Sequence, residues 1–371
     1  MKNRLNIATI VSCSLVIVIF AVMFFVTPDK IMSQKENRTL TQTPSFSIDQ
    51  LFSGEYTAEL AVYISDQFPA RDEFVSAKAY SELALGKREN NGIIYAENDI
   101  LIARDEIKDN RLNENLQTIK EFSDATGAKV CVAVLPRTVD IFAEYLPNTY
   151  PTENDKKLWQ DYYTQAKQNN LTAPNLYDDL CEGNNYYHTD HHYNIYGAYD
   201  TYSMLGNVLS YTPKELSYFK AEKVSSNFCG ISMRTSGFYL APKDEITLLR
   251  YDGDDDYTIT ADGKEIQMYD TSRLVDTDQY AVFLGGNHAR VDIKKGEGRP
   301  KLLVIRDSFA DSIAPFLAMH YDLIMLDLRY FTDNVQQIVA SENVSQVLIL
   351  ESMSEFATTK NISYLKRGID Q

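Results

Sequence analysis

The sequence predicts an α/β domain that is built on a parallel sheet and follows a single N-terminal membrane helix. Over residues 106–371, short and fully apolar runs alternate with amphipathic helical stretches. This is the pattern of strands that are buried on both faces and of the helices that cover them. Residues 7–26 carry no charge, and about 20 apolar residues are enough to cross a bilayer as a helix.

The composition and the N-terminus divide the chain into three segments. Residues 1–29 are predicted to be a cytoplasmic tip and a transmembrane signal anchor, and residues 30–105 a polar stalk followed by a helical and hairpin region. Residues 106–371 are the α/β domain, with a β-rich insertion at about 211–295. The formal net charge is −16 and no basic run follows the first residues, which argues against nucleic acid as a partner.

The charges that flank the apolar run predict its orientation. Lys2 and Arg4 precede it, so the positive-inside bias leaves the N-terminus in the cytoplasm. The protein would then be a single-pass protein of the cell membrane with an extracellular C-terminal domain. A cleaved signal peptide is the alternative, although its apolar region would be shorter and no clear small-residue cleavage site follows.

Hydrophobic periodicity predicts the individual elements. The N-terminal region is predicted to form helices at residues 47–68 and 74–85 and a strand pair at 93–95 and 100–102. The α/β domain is predicted to form helices at 111–126, 158–167, 196–209, 312–320 and 333–340, and strands at 130–135, 302–305, 323–326 and 347–350. Arg137 follows the first of these strands at its C-terminal end, where α/β folds place their sites, and is therefore a candidate site residue.

The histidines supply the first chemical signal. Of the 5 histidines, three lie within residues 188–192, together with Asp190. Asp190 and His192 are two residues apart and would project to the same side of an extended segment. A carboxylate beside a histidine fixes the tautomer of the ring, and the ring can then act as a base.

The serine that such a base would activate is Ser308. It follows the apolar run at 302–305 and precedes a predicted helix, which places its hydroxyl at the open edge of the sheet, beside the N–H groups of the helix start. A serine needs a base to become a nucleophile. Asp190, His192 and Ser308 therefore supply the acid, the base and the nucleophile of a catalytic triad.

Two other interpretations of these residues stay open. Ser308 is also a favoured residue type for capping the following helix. His188, Asp190, His191 and His192 are plausible metal ligands, although adjacent side chains cannot all point at one ion. Cys181 and Cys229 lie in loop-like sequence outside the membrane, where they form either a disulfide or two free thiols.

Five short motifs occur in an order that resembles a known family. They are Glu-Asn-Arg-Thr-Leu at residues 36–40, Asp-Gln-Phe-Pro-Ala-Arg at 66–71, Thr-Asp-His-His-Tyr at 189–193, Leu-Gly-Gly-Asn-His at 284–288 and Arg-Asp-Ser-Phe-Ala-Asp-Ser at 306–312. Together they resemble the DHHW-motif proteins, which are similar to the SGNH-hydrolase-like proteins that O-acetylate alginate. The resemblance covers nearly the whole segment after the anchor. Tyr193 departs from it, because the family has Trp at that position.

The resemblance implies a fold and a set of site residues. The fold would be a three-layer, SGNH-hydrolase-like and flavodoxin-like α/β domain. Asp190 and His192 match the Asp-x-His of the family, and Ser308 matches its nucleophile. More weakly, Gly286 and Asn287 would serve the oxyanion site, and His191, Tyr193 and Arg137 would line the substrate site.

The resemblance also implies an activity. The protein would O-acetylate a cell-surface or exported polysaccharide without a cofactor or metal, and a membrane-embedded acyltransferase would be its partner and pass acetyl groups outward. An esterase with the same triad and a non-catalytic polysaccharide-binding or assembly protein are the alternatives. Four tyrosines crowd the histidine cluster, and we expect a sugar-binding face there, with a plain core as the alternative: Tyr186, Tyr187, Tyr193 and Tyr196.

Overall fold

The computed structural model describes residues 2–33, 35, 38–107, 110–151, 153–183 and 185–367. Glu36 and Asn37, which belong to the first of the five motifs, lie outside the described residues. The chain groups into two compact units. The smaller unit contains Met1–Asn90 and Arg234–Leu240, and the larger unit contains Asn91–Met233 and Ala241–Gln371.

The smaller unit is mainly helical. Its elements in chain order are α1 (Lys2–Val26), β1 (Met32–Ser33), β2 (Arg38–Thr39), α2 (Ile48–Ser53), α3 (Glu55–Asp66), α4 (Arg71–Ala84) and β3 (Glu89–Asn90). Within α1, the 18 residues Thr9–Val26 have a mean hydropathy of 2.8, so this helix is long and apolar enough to cross a membrane.

The polar segment that was predicted to be a stalk is folded onto α3. Asp66 accepts hydrogen bonds from Arg38 Nη1 and Nη2 at 3.1 and 2.6 Å and from the N–H of Thr41 at 2.9 Å. The Arg38 guanidinium holds the pKa of the Asp66 carboxyl well below its usual range, although burial opposes this. A polar composition therefore does not by itself indicate a flexible segment here.

The larger unit alternates strands and helices. Its elements in chain order are β4 (Ile93–Tyr95), β5 (Leu101–Ala103), α5 (Leu112–Thr126), β6 (Lys129–Leu135), α6 (Thr138–Ile141), α7 (Glu153–Gln168), α8 (Tyr177–Gly183), α9 (Ile195–Leu209), β7 (Lys220–Phe228), α10 (Ile231–Ser236), β8 (Asp244–Arg250), β9 (Thr258–Ala261), β10 (Lys264–Glu265), β11 (Arg290–Lys294), β12 (Lys301–Arg306), α11 (Phe309–Ala318), β13 (Asp322–Leu326), α12 (Val335–Ser341), β14 (Gln346–Ser352) and α13 (Met353–Thr358). The last residues of α10 group with the smaller unit.

The central sheet of the larger unit is mixed. Its strand order is β10-β9-β11-β13-β12-β14-β6. The strands β13, β12, β14 and β6 are mutually parallel, as the apolar runs predicted, whereas β9 and β11 pair antiparallel at the other end. Parallel strands need crossover connections, which the helices between them provide.

Alternate residues of these strands build two cores on opposite faces of the sheet. In β12, Leu302 and Val304 belong to a core with α9 and α11, while Leu303 and Ile305 belong to a second core with α5, α7, α12 and α13. This division follows from the two-residue period of a strand. The sheet lies between two helical layers, and the predicted three-layer α/β fold is confirmed.

The segment predicted as a β-rich insertion is β-rich but only partly separate. The strands β7 and β8 form their own antiparallel pair. In contrast, β9, β10 and β11 extend the central sheet, because β11 pairs with β13 through Arg290 to Ile293. The sequence could not predict this pairing, since the alternation of polar and apolar residues indicates a strand but not the strand with which it pairs.

Candidate active site

Ser308 lies at the point where the strand order of the central sheet reverses. The chain passes from β12 to β13 on one side and then to β14 on the other side of β12. Ligand sites of open α/β sheets lie at such switch points, beyond the carboxyl ends of the strands. Since β12 ends at Arg306 and α11 begins at Phe309, the Ser308 hydroxyl stands at this edge.

The Ser308 side chain does not cap the helix that follows it. Its Oγ lies 2.8 Å from Nε2 of His192. The neighbouring Asp307 serves the turn instead, because its two carboxylate oxygens accept hydrogen bonds from the N–H groups of Phe309 at 3.0 Å and of Ser352 at 2.8 Å. In the sequence, the only signal for this role is the acidic residue directly before Ser308.

Asp190 and His192 meet through a tight turn rather than through an extended segment. Asp190 Oδ1 accepts a hydrogen bond from the N–H of His192 at 3.0 Å and lies 2.6 Å from Nδ1 of the same residue. A side chain that bonds the backbone two residues onward forms an Asx-turn. The two side chains are adjacent, as predicted, but a turn brings them together and not the side-chain alternation of an extended strand. The two side chains are buried, with 4% and 7% of their surface exposed.

Two residues that the sequence analysis missed hold this turn in place. Asp244 accepts hydrogen bonds from the N–H groups of His188 and Thr189, at 3.0 and 2.7 Å. Gly230 lies so close that a Cβ at its position would stand 2.3 Å from Cβ of Asp190. The N–H of the next residue, Ile231, donates to Asp190 Oδ2 at 2.8 Å. Nothing local in the sequence marks these residues, because both are distant from the histidine cluster along the chain.

Tyr280 covers one face of the His192 imidazole. The two rings are stacked with their centroids 3.9 Å apart and their planes 9° apart. The Tyr280 hydroxyl donates to Ser312 Oγ at 3.0 Å, which fixes the ring. The contact fixes the orientation of the His192 ring, and an aromatic face stabilises a cation that forms above it during a reaction.

The electrostatics keep Asp190 ionised. Burial raises the pKa of its carboxyl, but His192, His191 and the hydrogen bonds to it outweigh this effect and hold the pKa well below the usual range. His191 lies beside His192, with ring centroids 4.0 Å apart, and its side chain is 40% exposed. Desolvation and the neighbouring His192 lower the pKa of His191, so its ring is neutral at neutral pH.

A metal ion would compete with these hydrogen bonds. Asp190, His191 and His192 each offer a ligand atom, and these atoms lie within 4.8 Å of one another. However, Asp190 Oδ1 and both ring nitrogens of His192 are already engaged in the hydrogen bonds that connect Asp190, His192 and Ser308. The fourth predicted ligand, His188, packs its ring edge-on against Phe142 instead.

The N–H of Ser308 is a candidate oxyanion donor. It donates no hydrogen bond to any residue that the structure describes. The loop predicted to supply a second donor turns sharply at Gly286, whose φ of 108° suits glycine. The next residue, Asn287, is exposed, and its Oδ1 accepts a hydrogen bond from Arg329 Nη2 at 3.4 Å. The oxyanion roles of Gly286 and Asn287 stay predictions.

The guanidinium of Arg137 is engaged within the protein. It donates to both carboxylate oxygens of Asp140 at 2.9 Å, to Asp155 Oδ1 at 2.7 Å and to the carbonyl oxygen of Asp105 at 3.2 Å. These bonds hold the segment after β6, and Arg137 is buried. These bonds occupy four of its five N–H donors, and its predicted substrate role stays a prediction without structural support.

The tyrosines expected to form a sugar-binding face are mostly core residues. Tyr186, Tyr187 and Tyr193 are 3%, 3% and 0% exposed, and only Tyr196 among the four reaches 36%. The Tyr193 hydroxyl donates a hydrogen bond to the carbonyl oxygen of Phe309 at 2.7 Å, so Tyr193 holds the turn after Ser308 from the core side. The predicted place of Tyr193 in the lining of the substrate site has no support in the structure, because a buried ring cannot stack on a substrate.

The structure also decides between the two states of the cysteines. Cys181 and Cys229 are thiols and are not joined by a disulfide. Cys181 lies on α8, where its Sγ donates to the carbonyl oxygen of Asp140 at 3.7 Å, and burial raises the pKa of its thiol to about 12. A thiol with such a pKa is inert at neutral pH.

Comparison with protein families identifies the domain. Residues 93–286, more than half of the chain, match the family described as the SGNH hydrolase-like domain of the acetyltransferase AlgX. The matched residues include Asp190 and His192 and end before Ser308. The chain is also 22% identical over 160 residues to the probable alginate O-acetylase AlgJ of Pseudomonas putida, a match that covers 40% of this chain and 42% of that relative. The chain thus matches less than half the length of this curated relative.

Solved structures share the fold. A DHHW family protein from Eubacterium siraeum has a TM-score of 0.62 at 20% identity, covering 75% of this chain and 96% of its own. Bacillus cereus PatB1 with a sulfonyl adduct has a TM-score of 0.60 at 18% identity, covering 73% and 99%. The O-acetyltransferase domain of Pseudomonas putida AlgJ has a TM-score of 0.50 at 16% identity, covering 74% and 99%. The resemblance drawn from the five motifs is confirmed, and the chain belongs to the family of the SGNH hydrolase-like domain of the acetyltransferase AlgX.

Proposed function

We propose that this protein transfers acetyl groups to hydroxyls of a cell-surface or exported polysaccharide through Ser308, His192 and Asp190. The observation that carries the proposal is the continuous hydrogen-bonded path from Asp190 Oδ1 through the His192 ring to Ser308 Oγ, with distances of 2.6 and 2.8 Å. This is the arrangement that activates a serine for acyl transfer. The named activity of the AlgX family and of AlgJ supports acetyl as the acyl group.

The first half-reaction acylates the serine. Ser308 Oγ attacks the carbonyl carbon of an acetyl donor while His192 Nε2 takes the hydroxyl proton. Asp190 holds the Nδ1–H and stabilises the imidazolium that forms, and the Tyr280 ring adds to this stabilisation. The N–H of Ser308 donates to the oxyanion, with Asn287 as the predicted second donor. The leaving group departs with the proton from His192.

The second half-reaction passes the acetyl group to a sugar. A sugar hydroxyl gives its proton to His192 Nε2 and attacks the acetyl carbonyl, and the bond to Ser308 Oγ breaks as the serine recovers the proton. Water competes for the same acyl-enzyme at roughly 55 M, so the acceptor must be held with a high effective molarity. An enzyme that does not hold an acceptor would be an esterase.

The proposed setting is the outer side of the cell membrane. The apolar helix α1 would anchor the protein with its N-terminus in the cytoplasm. Acetyl-CoA is cytoplasmic, so a membrane-embedded acyltransferase would deliver the acetyl group. Protease applied to intact cells should digest the segment after the anchor, whereas a mature N-terminus near residue 30 in the medium would contradict a retained anchor.

The test compares transfer with hydrolysis. The full chain in detergent receives an artificial acetyl ester, with and without oligosaccharides, and both acetylated sugar and free acetate are measured. A transferase forms acetylated sugar at the expense of acetate. Acetate release that no oligosaccharide alters would indicate an esterase. Ser308→Ala that behaves as the wild type would indicate a non-catalytic protein.

A further inference from the structure

Three of the four tyrosines beside the histidines, Tyr186, Tyr187 and Tyr193, are buried and cannot stack on an acceptor. Among the described residues of the larger unit, the exposed aromatic side chains are Tyr196, Tyr218 and Tyr330, with 36%, 48% and 53% of their surface exposed. Tyr330 follows β13, which pairs in parallel with β12, the strand that leads to Ser308. Tyr330 and Ser308 therefore stand beyond the same edge of the sheet.

The backbone of Asp327 holds the turn that carries Tyr330. The carbonyl oxygen of Asp327 accepts hydrogen bonds from the N–H groups of Tyr330 at 3.0 Å and Phe331 at 2.7 Å. Asp327 is fully buried, and Phe331 packs into the core. The Tyr330 ring is thus exposed on a fixed backbone, which lowers the entropic cost of binding against it.

Arg329 adds a polar group beside this ring. Its guanidinium carbon lies 5.5 Å from the centroid of Tyr330. Its Nε and Nη2 bond Asp327 at 2.9 and 2.6 Å, and Nη2 also donates to Asn287. Its Nη1 donates to none of the residues that the structure describes, so two N–H groups remain for a ligand.

The local charge indicates what kind of ligand fits. The charge of Arg329 is balanced by Asp327 at 2.6 Å, and the carboxylates of Asp307 and Glu355 also act on it. Because Asp307 directly precedes Ser308, this group of carboxylates lies next to the proposed nucleophile as well as next to Arg329. A carboxylate on a sugar ring would find no excess positive charge here and would meet carboxylates of like sign.

We propose that Tyr330 and Arg329 form an acceptor subsite for a neutral pyranose ring. One face of the sugar stacks on Tyr330, and Arg329 Nη1 donates to its hydroxyl groups. Stacking on an exposed aromatic ring and hydrogen bonds from a fixed guanidinium are together suited to a polyhydroxylated ring with an apolar face. The inference rests on the proposed function and adds the class of acceptor, a neutral glycan rather than a polyuronate.

Tyr218 offers a matched control. It is exposed to a similar degree, and Lys214 Nζ lies 5.3 Å from its ring centroid, as Arg329 lies beside Tyr330. Tyr218 ends the short turn Leu216–Tyr218 after α9, and it precedes β7 rather than following a parallel strand of the central sheet. Its replacement should therefore leave acceptor use unchanged.

The test uses the full chain in detergent with 4-nitrophenyl acetate as donor. The neutral acceptors are cellopentaose, mannopentaose and chitopentaose, and the anionic acceptor is pentamannuronate. We expect acetylation of at least one neutral acceptor in preference to pentamannuronate. Tyr330→Ala should raise the KM for that acceptor about tenfold, which corresponds to about 1.4 kcal/mol, whereas Tyr330→Trp and Tyr218→Ala should stay near the wild type.

Two kinetic results would overturn the subsite. One is equal or better use of pentamannuronate, and the other is a Tyr330→Ala variant that behaves like Tyr218→Ala. Titration calorimetry of the Ser308→Ala variant with the neutral oligosaccharides separates this inference from the proposed function. Binding that Tyr330→Ala abolishes supports the subsite even if no acetyl group reaches Ser308, and absence of binding contradicts it even if Ser308 is acetylated.

Discussion

His192 Nε2 lies 2.8 Å from Ser308 Oγ, although 116 residues separate the two along the chain. The contact joins the turn before α9 to the turn after β12. Both turns are fixed from behind, the first by Asp244 and Gly230 and the second by Asp307 and Tyr193. Each partner of the reactive pair is therefore held on a turn that other residues fix by hydrogen bonds or close packing.

Removal of either partner of this contact should abolish acyl turnover. We expect Ser308→Ala and His192→Ala each to reduce turnover on the order of 10³-fold or more, with the fold retained. Asp190→Asn should be comparably severe, because it permits the wrong tautomer of His192. His191→Ala is the control and should have a smaller effect. An inactive His191→Ala beside an active His192→Ala would show that the base is misassigned, and a chelator whose effect zinc reverses would favour a metal site.

Gly230 should be required for activity although it contacts no substrate. Gly230→Ala would place a Cβ 2.3 Å from Cβ of Asp190, so Asp190 must move away from His192. A displacement of about 1 Å in a catalytic constellation can cost on the order of 10²-fold in rate. Gly183→Ala is the control, since its nearest contacts would be an ordinary 3.5 Å. Equal turnover of the two variants would contradict the proposed role of the Asp190 turn.

Tyr193 should affect stability more than acceptor use. Tyr193→Phe removes the hydrogen bond from the Tyr193 hydroxyl to the carbonyl oxygen of Phe309, which costs about 0.5–1.5 kcal/mol of unfolding free energy. Tyr193→Ala also leaves a cavity and should cost about 3–5 kcal/mol. Denaturant unfolding measures both, with the exposed Tyr196→Phe as control. A Tyr193→Ala variant of wild-type stability with weakened acceptor use would show instead that Tyr193 lines the substrate site.

Glu351 should make the larger unit less stable as the pH rises. It is buried at the end of β14, and its Oε2 has no hydrogen-bond partner among the described residues. Burial and the carboxylates of Asp307, Glu355 and Asp327 raise its pKa well above the usual value. The folded state therefore binds this proton more tightly than the unfolded state does. Stability is then lost as the pH rises from about 4.3 towards the folded pKa, by at most about 1.4 kcal/mol per pH unit.

The variant Glu351→Gln isolates this effect. It cannot lose the proton, so the difference in unfolding free energy between Glu351→Gln and the wild type should shift in favour of the variant as the pH rises from 5 to 8. Glu265→Gln is the control, because Glu265 is exposed on β10. A difference that does not change with pH, or that shifts in favour of the wild type, would contradict the raised pKa of Glu351.

The sequence predicted the strands and helices that have a clear hydrophobic periodicity, and it predicted the residues that a known type of chemistry requires together. The apolar run at 302–305 became β12, and the need of a serine for a base connected Ser308 with His192 across the fold. The direction in which a side chain points, and whether it is buried, could not be predicted in this way. Tyr193 is adjacent to His192, yet its side chain enters the core, because neighbouring residues of a turn point to different sides.

Residues brought in by distant strands also escaped the sequence analysis. Tyr280 and Gly230 touch the triad only because the chain between α9 and β12 folds back onto the turn of Asp190. Tyr330 reaches the same sheet edge as Ser308 because β13 pairs with β12. None of the three lies in a local pattern that indicates its position, and pairing of strands is a property of the whole fold.

The acetylation of Ser308 itself tests the central claim most directly. The full chain is mixed with an artificial acetyl ester, quenched in acid and digested, and the peptide that contains Ser308 is analysed by mass spectrometry. We expect an acetyl adduct on Ser308 in the wild type, a strong reduction of it in His192→Ala and none in Ser308→Ala. An enzyme that turns over the ester without any adduct on Ser308, or an adduct that forms equally well in His192→Ala, would contradict the account.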